Sequence, residues 1–253
     1  MSGSTGHLPH KGGPEPHEGR PPGLPRQRRG TTPQGYGRYP DFDVLEQADH
    51  WDEATRRVVL GRVENLPPIR FFDEAEAATL GAFCDTVLAQ DREPRIPVLA
   101  MVDAKLHAHQ LDGYRHVDMP DDGQAWRQVA RRLDAEAARR GAARTTTGAD
   151  GLAAATFAAA GQDTRDAIVG AFAAGELEWE GLPVTKAWSV VMRMVLAAFY
   201  SHPWAWSEIG FGGPAYPRGL ARLGAGEREH WERPPEFEVD PVEDVRARRV
   251  EGE

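Results

Sequence analysis

Cysteine is almost absent from this chain. Cys84 stands alone among 253 residues, which excludes an internal disulfide and every zinc or iron–sulfur site built on several thiolates. Long apolar runs are missing as well. The longest nearly continuous one, Ala187 to Tyr200, is broken by Arg193 and falls short of the roughly 20 residues that cross a bilayer. Positive charge is in the minority. Thirty Lys and Arg against 39 Asp and Glu give a net charge of -9, the wrong sign for a protein that wraps phosphate backbones. No stretch alternates apolar and polar residues for long enough to form a sheet, and no G-x-G-x-x-G follows a strand pattern, so the dinucleotide fingerprint is absent. What is present is 40% hydrophobic and 27% charged residues, the make-up of a soluble chain with one sizeable core. At roughly 150 residues per domain its length suits one to two domains.

Residues 1–40 hold 9 Gly and 8 Pro and no Val, Ile or Phe, with 6 basic and 2 acidic side chains. Such a segment buries too little apolar surface to offset the entropy of ordering it, and reads as a disordered tail. His7, His10 and His17 lie there with no rigid element to fix metal geometry. The Arg28-Arg29 pair raises the question of a twin-arginine signal, but Gly30-Thr31-Thr32-Pro33-Gln34-Gly35 follows instead of an apolar stretch. The expectation is a cytoplasmic chain without an export signal of its own, or one exported with, or docked on, a membrane-associated partner.

Residues 41–66 place Phe42, Val44, Leu45, Trp51, Val58, Val59 and Leu60 among charges, the pattern of a connecting strap or short helix laid on a core. Residues 67–226 read as a helical domain. Asp73 with Glu76 three residues on is a capping-box pattern, opening a helix that carries Ala77, Leu80, Ala82, Phe83, Val87 and Leu88. Pro97 suits the start of a second helix with Leu99, Val102 and Leu106, and a third runs from about Gly123 through Trp126, Val129, Leu133 and Ala137. Alanine-rich helices are expected around 152–160 and 165–177. The strongest periodicity covers 184–201, where Trp188, Val191, Met192, Val195, Leu196 and Phe199 form one stripe, read as core. The fold expected is all-α, a compact bundle of about five or six helices. Residues 227–253 read as a charged, extended tail.

One segment does not resemble generic bundle sequence. Phe199-Tyr200-Ser201-His202-Pro203-Trp204-Ala205-Trp206-Ser207-Glu208-Ile209-Gly210-Phe211-Gly212-Gly213-Pro214-Ala215-Tyr216-Pro217-Arg218-Gly219 concentrates aromatics, glycines and prolines. Pro203 predicts that the preceding helix stops near Ser201 or His202, and the rest is expected to be an ordered loop. Its aromatics must be buried against the chain's own core or against another protein, where Trp and Tyr make favoured anchors. Trp204, Trp206, Phe211 and Tyr216 are the candidates.

This segment resembles the signature of the gluconate 2-dehydrogenase subunit 3 family. Tyr200-Ser201-His202-Pro203, Trp206-Ser207-Glu208-Ile209-Gly210 and Phe211-Gly212-Gly213-Pro214-Ala215-Tyr216-Pro217-Arg218-Gly219 match it almost without gaps. Phe71-Phe72 ahead of Glu74 and Glu76, and Val102-Asp103-Ala104-Lys105-Leu106, look like its weaker landmarks. The resemblance spans about 66–223. It implies a non-catalytic accessory subunit that binds and stabilises or matures a large partner, a flavin-dependent sugar or polyol dehydrogenase of the glucose-methanol-choline type. FAD would then sit in that partner and none in this chain, and a cytochrome c subunit often takes the electrons. Family members typically carry a twin-arginine signal, in place of which this sequence has its Gly/Pro-rich tail.

Read as chemistry, His202 and Glu208 offer a general base and its orienter, the core of a stand-alone enzyme reading. The alternative is structural, with His202 capping the end of the preceding helix and Glu208 binding backbone N–H groups of the glycine loop. Arg218 is expected to pair with Glu208 or with a carboxylate of the partner. A third reading makes the chain a self-associating helical scaffold. His107, His109 and His116 lack the spacing of a shared metal site, and Cys84 reads as a buried, inert thiol.

Overall fold

The computed structural model describes residues 42–232, apart from 92, 111, 112, 114, 147–155, 223, 225 and 226, and gives no side-chain placement for 142–146. The tail expected at 1–40, with His7, His10, His17 and the Arg28-Arg29 pair, and residues 233–253 of the tail expected at 227–253 lie outside the described residues. So do residues 152–155 of the helix expected at 152–160; the described part, 156–160, forms turns and bends rather than helix.

All regular secondary structure is helical, with no strand among the described residues. After a 3-10 helix at Val44–His50 come α1 (Glu53–Glu64), α2 (Glu74–Val87), α3 (Val98–His107), α4 (Asp122–Thr146), α5 (Gln162–Ala174), α6 (Val184–Phe199) and α7 (Pro203–Ile209). The start signals act as their chemistry requires. Asp73 Oδ1 accepts the N–H of Glu76 at 2.8 Å while Glu76 reaches back to the N–H of Asp73, completing the capping box. Gly175 ends α5 in the left-handed conformation, at φ 72°.

Helices α2 to α6 pack around one core in which Phe83, Trp126, Leu133, Phe157, Ile168 and Phe172 are shut off from solvent. Trp126 Nε1 finds Met194 Sδ at 3.2 Å, so even its polar edge is accommodated. Asp103, fully buried on α3, accepts the N–H groups of Arg70, Phe71 and Phe72 at 2.8 to 3.0 Å. That carboxylate fixes the approach to α2 and seats Phe72 on Trp126.

Two expectations need correction. The buried face of α6 is formed by Ala187, Val190, Val191, Met194 and Val195, whereas Leu196 is 40% exposed and Trp188, Met192 and Phe199 lie at the margin. The stripe read from sequence thus shares Val191 and Val195 with the buried face and packs Trp188, Met192 and Phe199 against the core from its edge, while Leu196 turns outward. The segment after His202 is also not a plain loop. It begins with α7, started by His202 as N-cap and Pro203 at the first helical position.

Candidate functional site

The site is assembled by a second, smaller core set apart from the main one. Val44, Trp51 and Val59 come from the segment ahead of the bundle and meet Trp206 of α7. Ser207 Oγ accepts the N–H of Val44 at 3.1 Å across 163 residues of sequence, and itself donates to the Pro203 carbonyl. Trp206 Nε1 donates to the carbonyl of Tyr200, one of the last carbonyls of α6 that the helix leaves without a partner. Phe211 N–H closes on Trp206 O at 2.9 Å, after Gly210 turns the chain at φ 72°.

His202 is the pivot. Its backbone N–H bonds the Phe199 carbonyl at 3.1 Å, finishing α6, while its Nδ1 accepts the Trp204 N–H at 3.2 Å, starting α7. The other ring nitrogen, Nε2, lies 3.1 Å from the Arg62 carbonyl of α1. A carbonyl only accepts, so Nε2 carries the hydrogen and the imidazole is neutral. Burial pushes the pKa down to about 4, outweighing the Arg62 carbonyl, which favours the proton. Arg62 also donates from its guanidinium to Ser201 O and lies 5.9 Å from the Trp206 ring centroid. The expected cap is therefore real, but it opens the following helix rather than ending the preceding one.

The geometry separates residues that sequence had grouped. Both His202 ring nitrogens are taken by backbone groups, so Glu208, half-buried on α7, is not its orienter. Arg218 donates to Gln47 Oε1 at 2.9 Å and to the Pro214 carbonyl at 3.2 Å, and its guanidinium rests 4.0 Å from the Trp231 ring centroid. The expected Arg218–Glu208 pair gives way to these contacts, because the 3-10 helix brings Gln47 against the loop. Of the four candidate anchors, Trp206 is buried in the small core and Trp204 is half-buried against the main one. Phe211 and Tyr216 are exposed, at 47% and 67%, and so are Tyr200 and Ile209. Pro203, Gly212 and Gly213 are buried, and Gly210 and Pro214 half-buried, while Pro217 is exposed. Phe211 leans on Trp206 edge to face, with ring centroids 5.5 Å apart.

Arg62, Ser207, Val44, Trp51 and Trp231 went unassigned to this site by sequence reasoning. The two tryptophans carried a usable signal, since an isolated Trp in a charged segment needs a core to enter; Arg62 carried none. Cys84 is buried, and burial raises its thiol pKa well above the ordinary value, as expected of an inert side chain. No group of three or more His, Cys, Asp or Glu with metal-binding geometry occurs among the described residues, and no helix there is long and apolar enough to cross a membrane.

No curated protein and no solved structure matches the chain. A family model does. It runs from the first residue of α2 to the second of the paired glycines, taking in the main core and the His202–Gly213 segment just described. With more than half of its length matched, at residues 74–213, this chain belongs to the gluconate 2-dehydrogenase subunit 3 family.

Proposed function

We propose that this chain is the accessory subunit of a flavin-dependent sugar or polyol dehydrogenase, stabilising or maturing a large partner of the glucose-methanol-choline type. The family name makes it a subunit of a multi-subunit dehydrogenase. On this reading FAD and the redox chemistry reside in the large partner, and a cytochrome c subunit is a candidate third member.

The observation that carries the proposal is the division of labour among the motif aromatics. Trp206 and His202 are consumed in building the fold, while Tyr200, Ile209, Phe211 and Tyr216 present large apolar surface to solvent within a stretch of seventeen residues. Exposed apolar side chains concentrated this way are a mark of an interaction surface. Aromatics held on a rigid base make efficient anchors, since little conformational freedom remains to be lost on binding. A partner that covers them gains stability by mass action, which is how such a subunit supports a larger one. A role for His202 as a general base is disfavoured by its lack of a free ring nitrogen.

The test is recovery of the tagged chain from its native host, read by mass spectrometry and by flavin absorbance. A large flavoprotein in near-equal amount is the expected result, and Phe211→Ala with Tyr216→Ala should reduce its recovery at least tenfold. A folded, colourless chain recovered alone would refute the proposal. The exposed aromatics also suit self-association, and a defined homo-oligomer that the same two substitutions dissolve would favour that reading instead.

A further inference from the structure

Two tryptophans from outside the family-matched region close on the adjacent glycines at its end. Trp51 precedes α1, and Trp231 lies in the last described turn. A methyl group built on Gly212 would stand 2.9 Å from Trp231 Cδ1 and 3.0 Å from the Trp231 carbonyl oxygen. One built on Gly213 would stand 2.9 Å from Trp51 Cζ2 and 3.0 Å from Val44 Cγ2. Each glycine therefore marks a place where another segment lies against bare backbone.

Both tryptophans are themselves fastened. Trp51 belongs to the small core with Val44, Val59 and Trp206. Trp231 lies against the Arg218 guanidinium, which is tied through Gln47 to the same 3-10 helix that carries Val44. The chain leading to Trp231 is turned back by Glu229, whose carboxylate accepts the N–H groups of Ala221 and Arg222. Those two bonds hold the Glu229 carboxyl below its usual range, so the turn is held by a charged acceptor at neutral pH.

We infer that Trp51 and Trp231 are positioning residues, clamping the Gly212-Gly213 backbone from two sides and thereby setting how Phe211 and Tyr216 leave the motif. Paired glycines have the greatest backbone freedom of any dipeptide, and something external must hold them. The seven-residue α7 is too short to be stable by itself; Trp206 ties it to Trp51 in the small core, and Ala205 ties its first turn to the main one. The main core contains neither tryptophan, which makes the clamp a separable unit of lower stability than the bundle. The clamp is a property of this chain alone, so it stands or falls independently of the docking reading. Where docking holds, the clamp shapes the face that docks.

Hydrogen exchange read by mass spectrometry on the full chain tests it. Trp51→Ala and Trp231→Ala should each speed amide exchange across 205–213 on the order of tenfold, with α2, α4 and α5 keeping wild-type protection. Trp231→Phe keeps a ring on Gly212 and against Arg218, and should restore wild-type exchange. Unchanged exchange at 205–213 in both alanine variants would overturn the clamp. Equal loosening of α2 and α4 would do so too, by making the tryptophans ordinary members of one global core. Failure of the phenylalanine variant to rescue would remove Trp231 from the role.

Discussion

Acidification from pH 7 to pH 5 should withdraw a calculable share of stability through His202. In the native state its pKa is lowered from 6.5 to about 4, chiefly by burial. Between those values the unfolded chain binds a proton that the native imidazole refuses, so stability falls as pH falls. The contribution is fully present above 6.5 and lost as the pH approaches 4. At 1.36 kcal/mol per pKa unit the whole effect is about 3 kcal/mol, and about 2 kcal/mol of it falls between pH 7 and pH 5. The geometric cause is plain. Protonated Nδ1 cannot accept the Trp204 N–H, so the cap of α7 is broken and a charge is left in a buried site. Urea unfolding at pH 7, 6 and 5 would measure this, comparing wild type with His202→Asn, which retains a capping oxygen but cannot titrate. Other groups titrate in both proteins and cancel in the difference. Wild type should lose about 2 kcal/mol more than the variant across that interval. Equal losses, or an imidazole that titrates near 6.5 by NMR in the native state, would refute the buried neutral histidine and the α7 cap built on it.

Other substitutions probe other parts of the argument. Asp103→Ala strands the three N–H groups of Arg70, Phe71 and Phe72 and should destabilise the chain by about 3 kcal/mol or more, read as a drop in urea midpoint. Gly170→Ala, in α5 with open space around the added methyl, should stabilise by up to about 1 kcal/mol. Gly213→Ala, at φ +79° and against Trp51, should instead cost about 2 kcal/mol or more; equal effects from the two glycine substitutions would refute the close approach at Gly213. Cys84 should resist aromatic disulfide reagents in native buffer and react only at the rate of unfolding; rapid native labelling would contradict its burial.

Local chemistry made much of the bundle legible. The Asp73–Glu76 box, the helical period of α2 and α4 and the Pro203 break are each written within a few residues, because helix hydrogen bonds and caps span only three or four positions. The motif at 200–219 was legible as a family signature, and the family match at 74–213 supports it. Which side chains of α6 face inward was not legible. An apolar stripe that wraps most of a helix leaves its rotation to the neighbours, and they admitted Ala187, Val190 and Met194 over Leu196.

The site shows the same division more sharply. Sequence by itself determined that Pro203 stops the preceding helix near Ser201 or His202 and that the aromatics after it need a surface to pack on. Only the tertiary structure decided that Trp206 turns inward while Phe211 and Tyr216 stay outside, because Val44, Trp51 and Val59 arrive from more than 140 residues away to meet it. Only the fold could set the state of His202, since the carbonyl that fixes its tautomer belongs to Arg62, 140 positions earlier. Periodicity and capping report interactions within one or two helical turns; a contact closed across most of the chain leaves no local pattern to read.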